Sequence, residues 1–310
     1  MNYSDILSFT IDATERLNEQ MAGIIKSESA MKVSNESALY YSLATETFTE
    51  KVKEYAGNVW KFIKDLVMKI KNFIVSAYKK VKEFITKKIA AIKAKFAKKE
   101  GEANKAEAKP EENKTEQAHE AADDMRYFVG TSNLSDFDKI NAGLKELFDE
   151  FDISEMTNAL KQMSAEEISK NKEELDNMNL ADVMNKKMME CANTLQVQKV
   201  SADKYSAFAI EYINKYNQVI TTSFKIFGEA TKKFENFANS LSSNSEISSE
   251  QASFAKIVAT KMSSLIGKLT SVRSRAIVLD LALIPANGFI SEEAAKTALD
   301  EYKEKIKNFF

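Results

Sequence analysis

Residues 51–100 read KVKEYAGNVWKFIKDLVMKIKNFIVSAYKKVKEFITKKIAAIKAKFAKKE. Fifteen lysines lie among isoleucines, valines and phenylalanines, and the stretch contains one glycine and no proline. Because glycine and proline are the residues that most often interrupt a helix, this composition favours one long helix. At 1.5 Å per residue, that helix would be about 70 Å long.

The apolar residues of this stretch recur in alternating steps of four and three. That spacing is typical of a helix that packs in a bundle or coiled coil. The predicted packing seam consists of Val52, Ala56, Val59, Ile63, Leu66, Ile70, Phe73 and Ala77. On the opposite side the pattern places a row of basic residues that could face a polyanion, namely Lys53, Lys61, Lys64, Lys71, Lys79 and Lys82. Lys88 and Lys95 fall on the apolar side instead, so the pattern weakens toward the end of the stretch.

Three interpretations of this basic helix are compatible with its sequence. Lysines opposite a Trp- and Phe-containing face are typical of a helix that lies on an anionic membrane surface. Lysines also neutralise nucleic-acid phosphates, although the aromatic residues here are not interleaved with them for base stacking. The regular seam favours the third interpretation, a bundle helix whose lysines face water or acidic neighbours.

The whole chain has the composition of a helical protein. Its 310 residues include two prolines and eight glycines, too few for the many turns of a sheet protein. We therefore predict an all-α fold with four parts: a helical leader (1–50), the lysine-rich amphipathic helix (51–99), an acidic disordered linker (100–124) and a helical bundle domain (125–310). The linker contains nine carboxylates, three lysines and no large apolar residue, so it cannot form a core.

Helix start signals divide the C-terminal part. Ser164 with Glu167 and Ser248 with Gln251 match the capping box, and Ser291 is positioned to cap a last helix. We predict one long helix over residues 201–240, with Ser201 as its cap, and a second from Ser248 to about residue 283. A short loop joins them, so they should form an antiparallel hairpin. A shorter helix is predicted over residues 182–195.

The residue types that catalytic sites need are scarce. The chain has one histidine, His119 in the acidic linker, and one cysteine, Cys191. These cannot form a zinc site or a Ser-His-Asp triad, and no glycine-rich phosphate loop is present. We therefore expect no enzyme activity, no cofactor and no small-molecule substrate. The N-terminal residues lack the pattern of a secretory signal, and no run is apolar enough for a transmembrane helix.

Charged residues also occur in the most apolar stretch, residues 269–285. Arg273 and Asp280 are seven residues apart and should share a helix face with each other, and Arg275 lies between them. A buried charge needs a partner, so these three residues are candidates for a buried ion pair. We expect at least one of the arginines to meet a carboxylate from another helix and so to fix the helix register.

The first 125 residues resemble the internal virion or prohead-core proteins of large tailed bacteriophages. The similarity lies in a leader rich in Ser, Glu, Asn and Ala (IIKSESAMKVSNESA), the lysine-rich helix, the acidic Ala/Glu/Lys linker and the helical part that follows. The resemblance implies a protein packaged inside the capsid and sometimes trimmed by a maturation protease. Some of these proteases cut after Ser-x-Glu, which makes Glu36 in Ser34–Asn35–Glu36 a possible cleavage site.

These observations favour a non-enzymatic structural or interaction protein of the phage head interior or prohead core. Its expected partners are proteins, either further copies of itself or other virion proteins, with DNA or an anionic membrane surface as possible partners of the lysine face. The expected location is the virion interior or the host cytoplasm. The alternative is a membrane-active helical protein, either an α-type pore former or a membrane-surface factor, that uses the amphipathic helix of residues 51–99.

Overall fold

The computed structural model describes residues 48–103, 125–131, 134–150, 153–177, 195–242 and 247–307. Within these ranges the chain forms seven helices and one pair of strands, which confirms the predicted all-α class. In chain order the elements are α1 (Phe48–Ala103), β1 (Met125–Thr131), α2 (Ser135–Glu150), α3 (Ile153–Gln162), α4 (Ala165–Asn177), β2 (Leu195–Ser201), α5 (Ala202–Ser242), α6 (Ser249–Ala282) and α7 (Glu292–Lys307).

The predicted long-helix hairpin is formed by α5 and α6. Near the start of α5, the Tyr205 hydroxyl donates a hydrogen bond of 2.8 Å to the carbonyl oxygen of Pro285, just beyond α6. Further along α5, the Ser223 hydroxyl accepts a hydrogen bond of 3.3 Å from Nε of Arg273 in α6. Residue numbers that rise along α5 and fall along α6 show that the two helices are antiparallel.

The lysine-rich helix α1 packs along this hairpin and contacts both of its helices. The rings of Phe96 and Tyr205 stack with their centroids 6.3 Å apart, and the Tyr78 hydroxyl lies 3.3 Å from Oγ1 of Thr221. These contacts make α1 antiparallel to α5 and therefore parallel to α6. The three helices share one continuous apolar core.

The shorter helices cover the remaining sides of the hairpin. In α2, the Asn141 side chain donates a hydrogen bond of 3.2 Å to the Val219 carbonyl oxygen in α5, and the Phe148 ring packs edge-on against Phe227. At the start of α6, the side-chain amide of Gln251 donates to the Lys161 carbonyl oxygen at the end of α3. These contacts fix α2 on α5 and α3 on α6.

A small sheet departs from the purely helical domain that the sequence predicts for residues 125–310. β1 and β2 pair antiparallel from Met125 opposite Ser201 to Thr131 opposite Leu195. The chain after α6 joins this sheet, because Tyr127 and Phe289 exchange two backbone hydrogen bonds of 2.9 and 3.0 Å. α7 packs on the sheet and on the end of α6 in a second, smaller core.

The predicted helix starts at Ser164, Ser248 and Ser291 are confirmed. Ser164 and Glu167 exchange hydrogen bonds at the start of α4, and Ser248 and Gln251 form a complete capping box at the start of α6. The Ser291 hydroxyl accepts from the backbone N–H of Ala294. Ser201 differs, because it ends β2 and its hydroxyl donates to the Asp203 carboxylate at 2.6 Å.

Two predicted boundaries change. The helix predicted over residues 182–195 is wrong at its end, because Leu195 begins β2, and residues 178–194 lie outside the described ranges. The lysine-rich helix extends over Phe48–Ala103, so it includes the first residues of the predicted linker. The predicted leader up to residue 47 and the linker beyond residue 103 also lie outside the described ranges.

Candidate functional site

The apolar seam of α1 is filled by the chain's own helices. Its six members whose side chains are described are all buried in the shared core; they are Val59, Ile63, Leu66, Ile70, Phe73 and Ala77. The side chains of Val52 and Ala56 lie outside the described set. The face that a membrane-surface helix would insert into lipid is therefore covered by α5 and α6 in this fold.

The lysines predicted to face a polyanion lie on the outer surface of α1. Lys61, Lys64, Lys71, Lys79 and Lys82 are all exposed, and the Lys53 side chain lies outside the described set. We call these five exposed side chains the lysine face. Lys71 lies 4.0 Å from the Glu235 carboxylate of α5, and no described carboxylate lies within ion-pair distance of the other four.

An eighteen-residue repeat organises the lysine face. Trp60 and Tyr78 are equivalent positions, and the ammonium groups of Lys64 and Lys82 lie 5.1 and 5.2 Å from the centroids of these two rings. Lys61 and Lys79 form a second equivalent pair, as do the exposed carboxylates of Asp65 and Glu83. Eighteen residues make five helical turns, so two similar basic clusters lie on one side of α1, about 27 Å apart. The repeat is visible in the sequence, but it is longer than a heptad and so does not show in the four-three spacing of the apolar residues.

Between the two clusters, the same side of α1 exposes apolar side chains. Met68 is 61% exposed and Val75 is 49% exposed. Beside Met68 a groove of about 260 Å³ opens between α1 and α5, and it is lined by Lys64, Val67, Met68, Lys71, Glu235, Ala238 and Asn239. The lysine face is thus interrupted by an apolar strip next to a groove.

Lys88 lies on the opposite, buried side of α1, and only 4% of its surface is exposed. Among the described residues, its ammonium nitrogen has no hydrogen-bond partner. Burial lowers the pKa of Lys88 to about 7, because the charged form loses its hydration. Lys95, which the sequence places on the same apolar side, is exposed to solvent.

The charged residues of α6 form part of a buried polar network. Asp280 is buried and accepts hydrogen bonds from the hydroxyls of Tyr216 in α5 and Tyr302 in α7. Burial raises the pKa of Asp280 above its usual range, although the two hydroxyls and the positive charge of Arg273 act in the opposite direction. This single carboxylate therefore links three helices.

Arg273 is 2% exposed, and its cross-helix partners differ from the predicted ones. Its Nε donates to Ser223, whose hydroxyl in turn donates to Asn141, and its guanidinium lies 5.4 Å from the centroid of the Phe137 ring. Among the described residues, the contacts of Arg273 with other helices are thus with a hydroxyl and an aromatic ring. The carboxylate that acts on it electrostatically is Asp280 of its own helix.

Arg275 is less buried than Arg273 and Asp280, and burial lowers the pKa of its guanidinium from the ordinary value. The other side chains of interest lie outside the described ranges; they are His119, Cys191 and the possible cleavage site at Glu36.

The described ranges hold no group of three or more His, Cys, Asp or Glu side chains that could bind a metal ion. Among the helices of the same described residues, none has both the length and the apolar character needed to cross a bilayer. Comparison of the chain with family models, curated proteins and solved structures finds no match.

Proposed function

We propose that this chain is a non-enzymatic structural and interaction protein that holds an anionic partner on the lysine face of α1. One observation carries the proposal: the apolar seam of α1 is filled inside the chain, while the lysines opposite it remain exposed. A helix whose apolar face already has a partner keeps only its polar face for external contacts. Four of the five lysines have no described carboxylate within ion-pair distance, so their charge is available to a partner.

The resemblance of residues 1–125 supplies the proposed setting, the interior of a phage head or prohead. Two basic clusters about 27 Å apart suit an extended anionic surface better than a small anion, because one small anion can reach only one cluster. Removal of a leader by cleavage after Glu36 belongs to the same proposal. A mature particle protein that retains residues 1–36, as determined by intact-mass spectrometry, would exclude that cleavage.

The alternative, a membrane-active protein, requires α1 to leave the hairpin before its seam can meet lipid. Vesicles of anionic phospholipid therefore form a separate arm beside the two polyanions described next. If the folded chain bound such vesicles through its seam, Ile63 and Leu66 would have to become accessible, which hydrogen exchange of α1 would detect.

The test measures how two labelled polyanions, a 20-base-pair DNA duplex and a 20-residue polyglutamate, bind to the full chain. The variant K61Q/K64Q/K79Q/K82Q removes four charges from the lysine face. The matched control K170Q/K172Q/K204Q/K268Q removes four exposed lysines from other helices.

We expect the lysine-face variant to weaken binding of both polyanions at least tenfold, and we expect the salt dependence of binding to decrease, because fewer counterions are released. The control variant should stay within about twofold of the parent chain. Equal binding by the two quadruple variants would overturn the proposal.

A further inference from the structure

The exposed apolar side chains of α1 lie within the lysine face and not apart from it. Met68 and Val75 are seven residues apart, so they share one side of the helix, about 10 Å from each other along its axis. Lys64 and Lys71 lie one turn to either side of Met68, and Lys79 lies one turn beyond Val75. Single exposed apolar residues are ordinary on protein surfaces. Two at heptad spacing, with lysines on both sides, form a strip that a second helix could pack against.

The groove beside Met68 has room for a side chain of such a second helix. Its floor includes Val67 of α1 and Ala238 of α5, and Lys71 and Glu235 stand 4.0 Å apart on its opposite walls. A groove of about 260 Å³ can receive one large apolar side chain such as leucine or methionine. Exposed methionine is frequent at surfaces that bind helices, because its flexible thioether adapts to the partner.

We propose that the apolar strip of Met68 and Val75, together with the adjoining groove, is a docking site for an acidic amphipathic helix of a partner protein. The inference rests on the proposed function, and it names the class of anionic partner. Apolar residues one heptad apart on the partner helix contact Met68 and Val75, and one of them enters the groove. Carboxylates on both flanks of that helix reach Lys61, Lys64 and Lys71 at one end and Lys79 and Lys82 at the other.

Nucleic acid fits this surface less well than an acidic helix. A phosphate backbone gains little from Met68 and Val75, and the exposed carboxylates of Asp65 and Glu83 at the edge of the lysine face repel phosphates. A helix with a few basic residues can pair with those two carboxylates. The lysines also lack the planar fork with which arginine reads guanine bidentately, so the surface carries no signal for base recognition.

Two other occupants fit only part of the surface. The chain's own acidic residues 100–124 can match the lysines, but they include no Leu, Ile, Val, Met, Phe, Tyr or Trp that could fill the groove. An anionic membrane could match the lysines as well. Met68 and Val75 alone offer it little apolar area, and Glu235 and Asn239 line the groove that a lipid chain would have to enter.

The probes for the experiment are two fluorescein-labelled helical peptides of 21 residues. The first has leucine at the a and d heptad positions and glutamate at the flanking positions, and the second has glutamine in place of every leucine. Fluorescence anisotropy measures their affinity for the full chain and for M68Q/V75Q. The matched control I290Q alters another exposed apolar residue, 72% exposed, between α6 and α7. Because all three side chains are exposed, circular dichroism should show an unchanged fold.

We expect the leucine peptide to bind at least tenfold more tightly than the glutamine peptide. The M68Q/V75Q substitutions should weaken binding of the leucine peptide at least tenfold and leave binding of the 20-base-pair duplex within twofold of the parent chain. I290Q should change the affinity for neither probe. If M68Q/V75Q binds the leucine peptide as tightly as the parent chain does, or if the two peptides bind equally, the docking proposal is overturned.

The two proposals fail in different ways. If K61Q/K64Q/K79Q/K82Q weakens all anionic probes while M68Q/V75Q changes none, the lysine face stands and the docking site does not. If the lysine variant changes no probe, the proposed function itself fails. Phosphatidylglycerol vesicles are the last probe. If the chain binds these vesicles and not the leucine peptide, and if M68Q/V75Q abolishes vesicle binding, the occupant of this surface is a membrane and not a helix.

Discussion

At Lys88, a basic side chain occupies a site that the rest of α1 fills with apolar residues. Its pKa is about 7 in the folded chain and about 10.5 in the unfolded chain, so between these values the unfolded state binds more protons. The cost to folding is therefore largest below pH 7, and it decreases as the pH rises toward 10.5. At about 1.4 kcal/mol per pKa unit, the cost is on the order of 5 kcal/mol at its maximum.

We predict that K88M raises the free energy of unfolding by about 2–4 kcal/mol at pH 7 and flattens its dependence on pH between 7 and 10. Urea denaturation at several pH values measures both effects. K95M is the matched control, because Lys95 is exposed on the same helix and its replacement should change the stability little. A K88M chain with the same pH slope as the parent would show that Lys88 is solvated in solution.

The Arg273–Asp280 pair gives a second prediction at this scale. R273M and D280N should each destabilise the fold by on the order of 2–4 kcal/mol, because each leaves the opposite buried charge without its counterpart. The double variant should cost less than the two single variants together, by more than about 0.5 kcal/mol. Additive costs in a denaturant double-mutant cycle would mean that the two charges do not interact.

The sequence was sufficient to predict that Arg273 and Asp280 are buried, because they lie in the most apolar stretch of the chain. It was insufficient to predict their partners, which are Tyr216, Ser223 and Tyr302 on two other helices. The position of a hydroxyl-bearing residue on an amphipathic helix does not indicate which charged residue it will contact. Partner identity depends on the tertiary arrangement, which helical periodicity does not encode.

At the scale of helices and turns, two glycines lie in opposite environments, so replacing each by alanine should change the stability in opposite directions. Gly288 ends the turn after α6 with φ of 76°, and a Cβ there would lie 2.7 Å from Cβ of Arg126 in β1. Gly228 is inside α5, where a Cβ meets nothing within 4 Å. We predict that G288A destabilises the fold by about 1–3 kcal/mol and that G228A stabilises it by about 0.5–1 kcal/mol. Thermal denaturation should show melting temperatures that move in opposite directions, and a shared direction would contradict the assigned backbone conformations.

Helices were easier to predict than strands in this chain. The capping boxes at Ser164 and Ser248 are local signals, and local hydrogen bonds are enough to realise them. β1 is short, and its pairing with β2 depends on residues about seventy positions away. The alternation of Leu195 and Val197 with polar residues is a usable strand signal, but Leu195 is also the last residue of the stretch predicted as a helix.

For the whole molecule, the seam of α1 predicted that the helix packs without indicating what it packs against. Heptad spacing is the same for a helix in its own chain's bundle and for one in an oligomer. The structure places α5 and α6 over the seam, through contacts such as Phe96 with Tyr205. The lysines were predicted on the exposed side, whereas the groove beside Met68 exists only because α5 lies next to α1.

The order of the helices along the chain has a consequence for synthesis on the ribosome. α1 ends at Ala103, but the helices that cover its seam span residues 202–282. At about 5–20 residues per second, roughly ten to forty seconds pass before both are complete. The nascent chain thus carries an uncovered apolar stripe during that interval. Charged residues beside such a stripe hinder aggregation, so we expect the lysines of α1 to protect the growing chain during that interval.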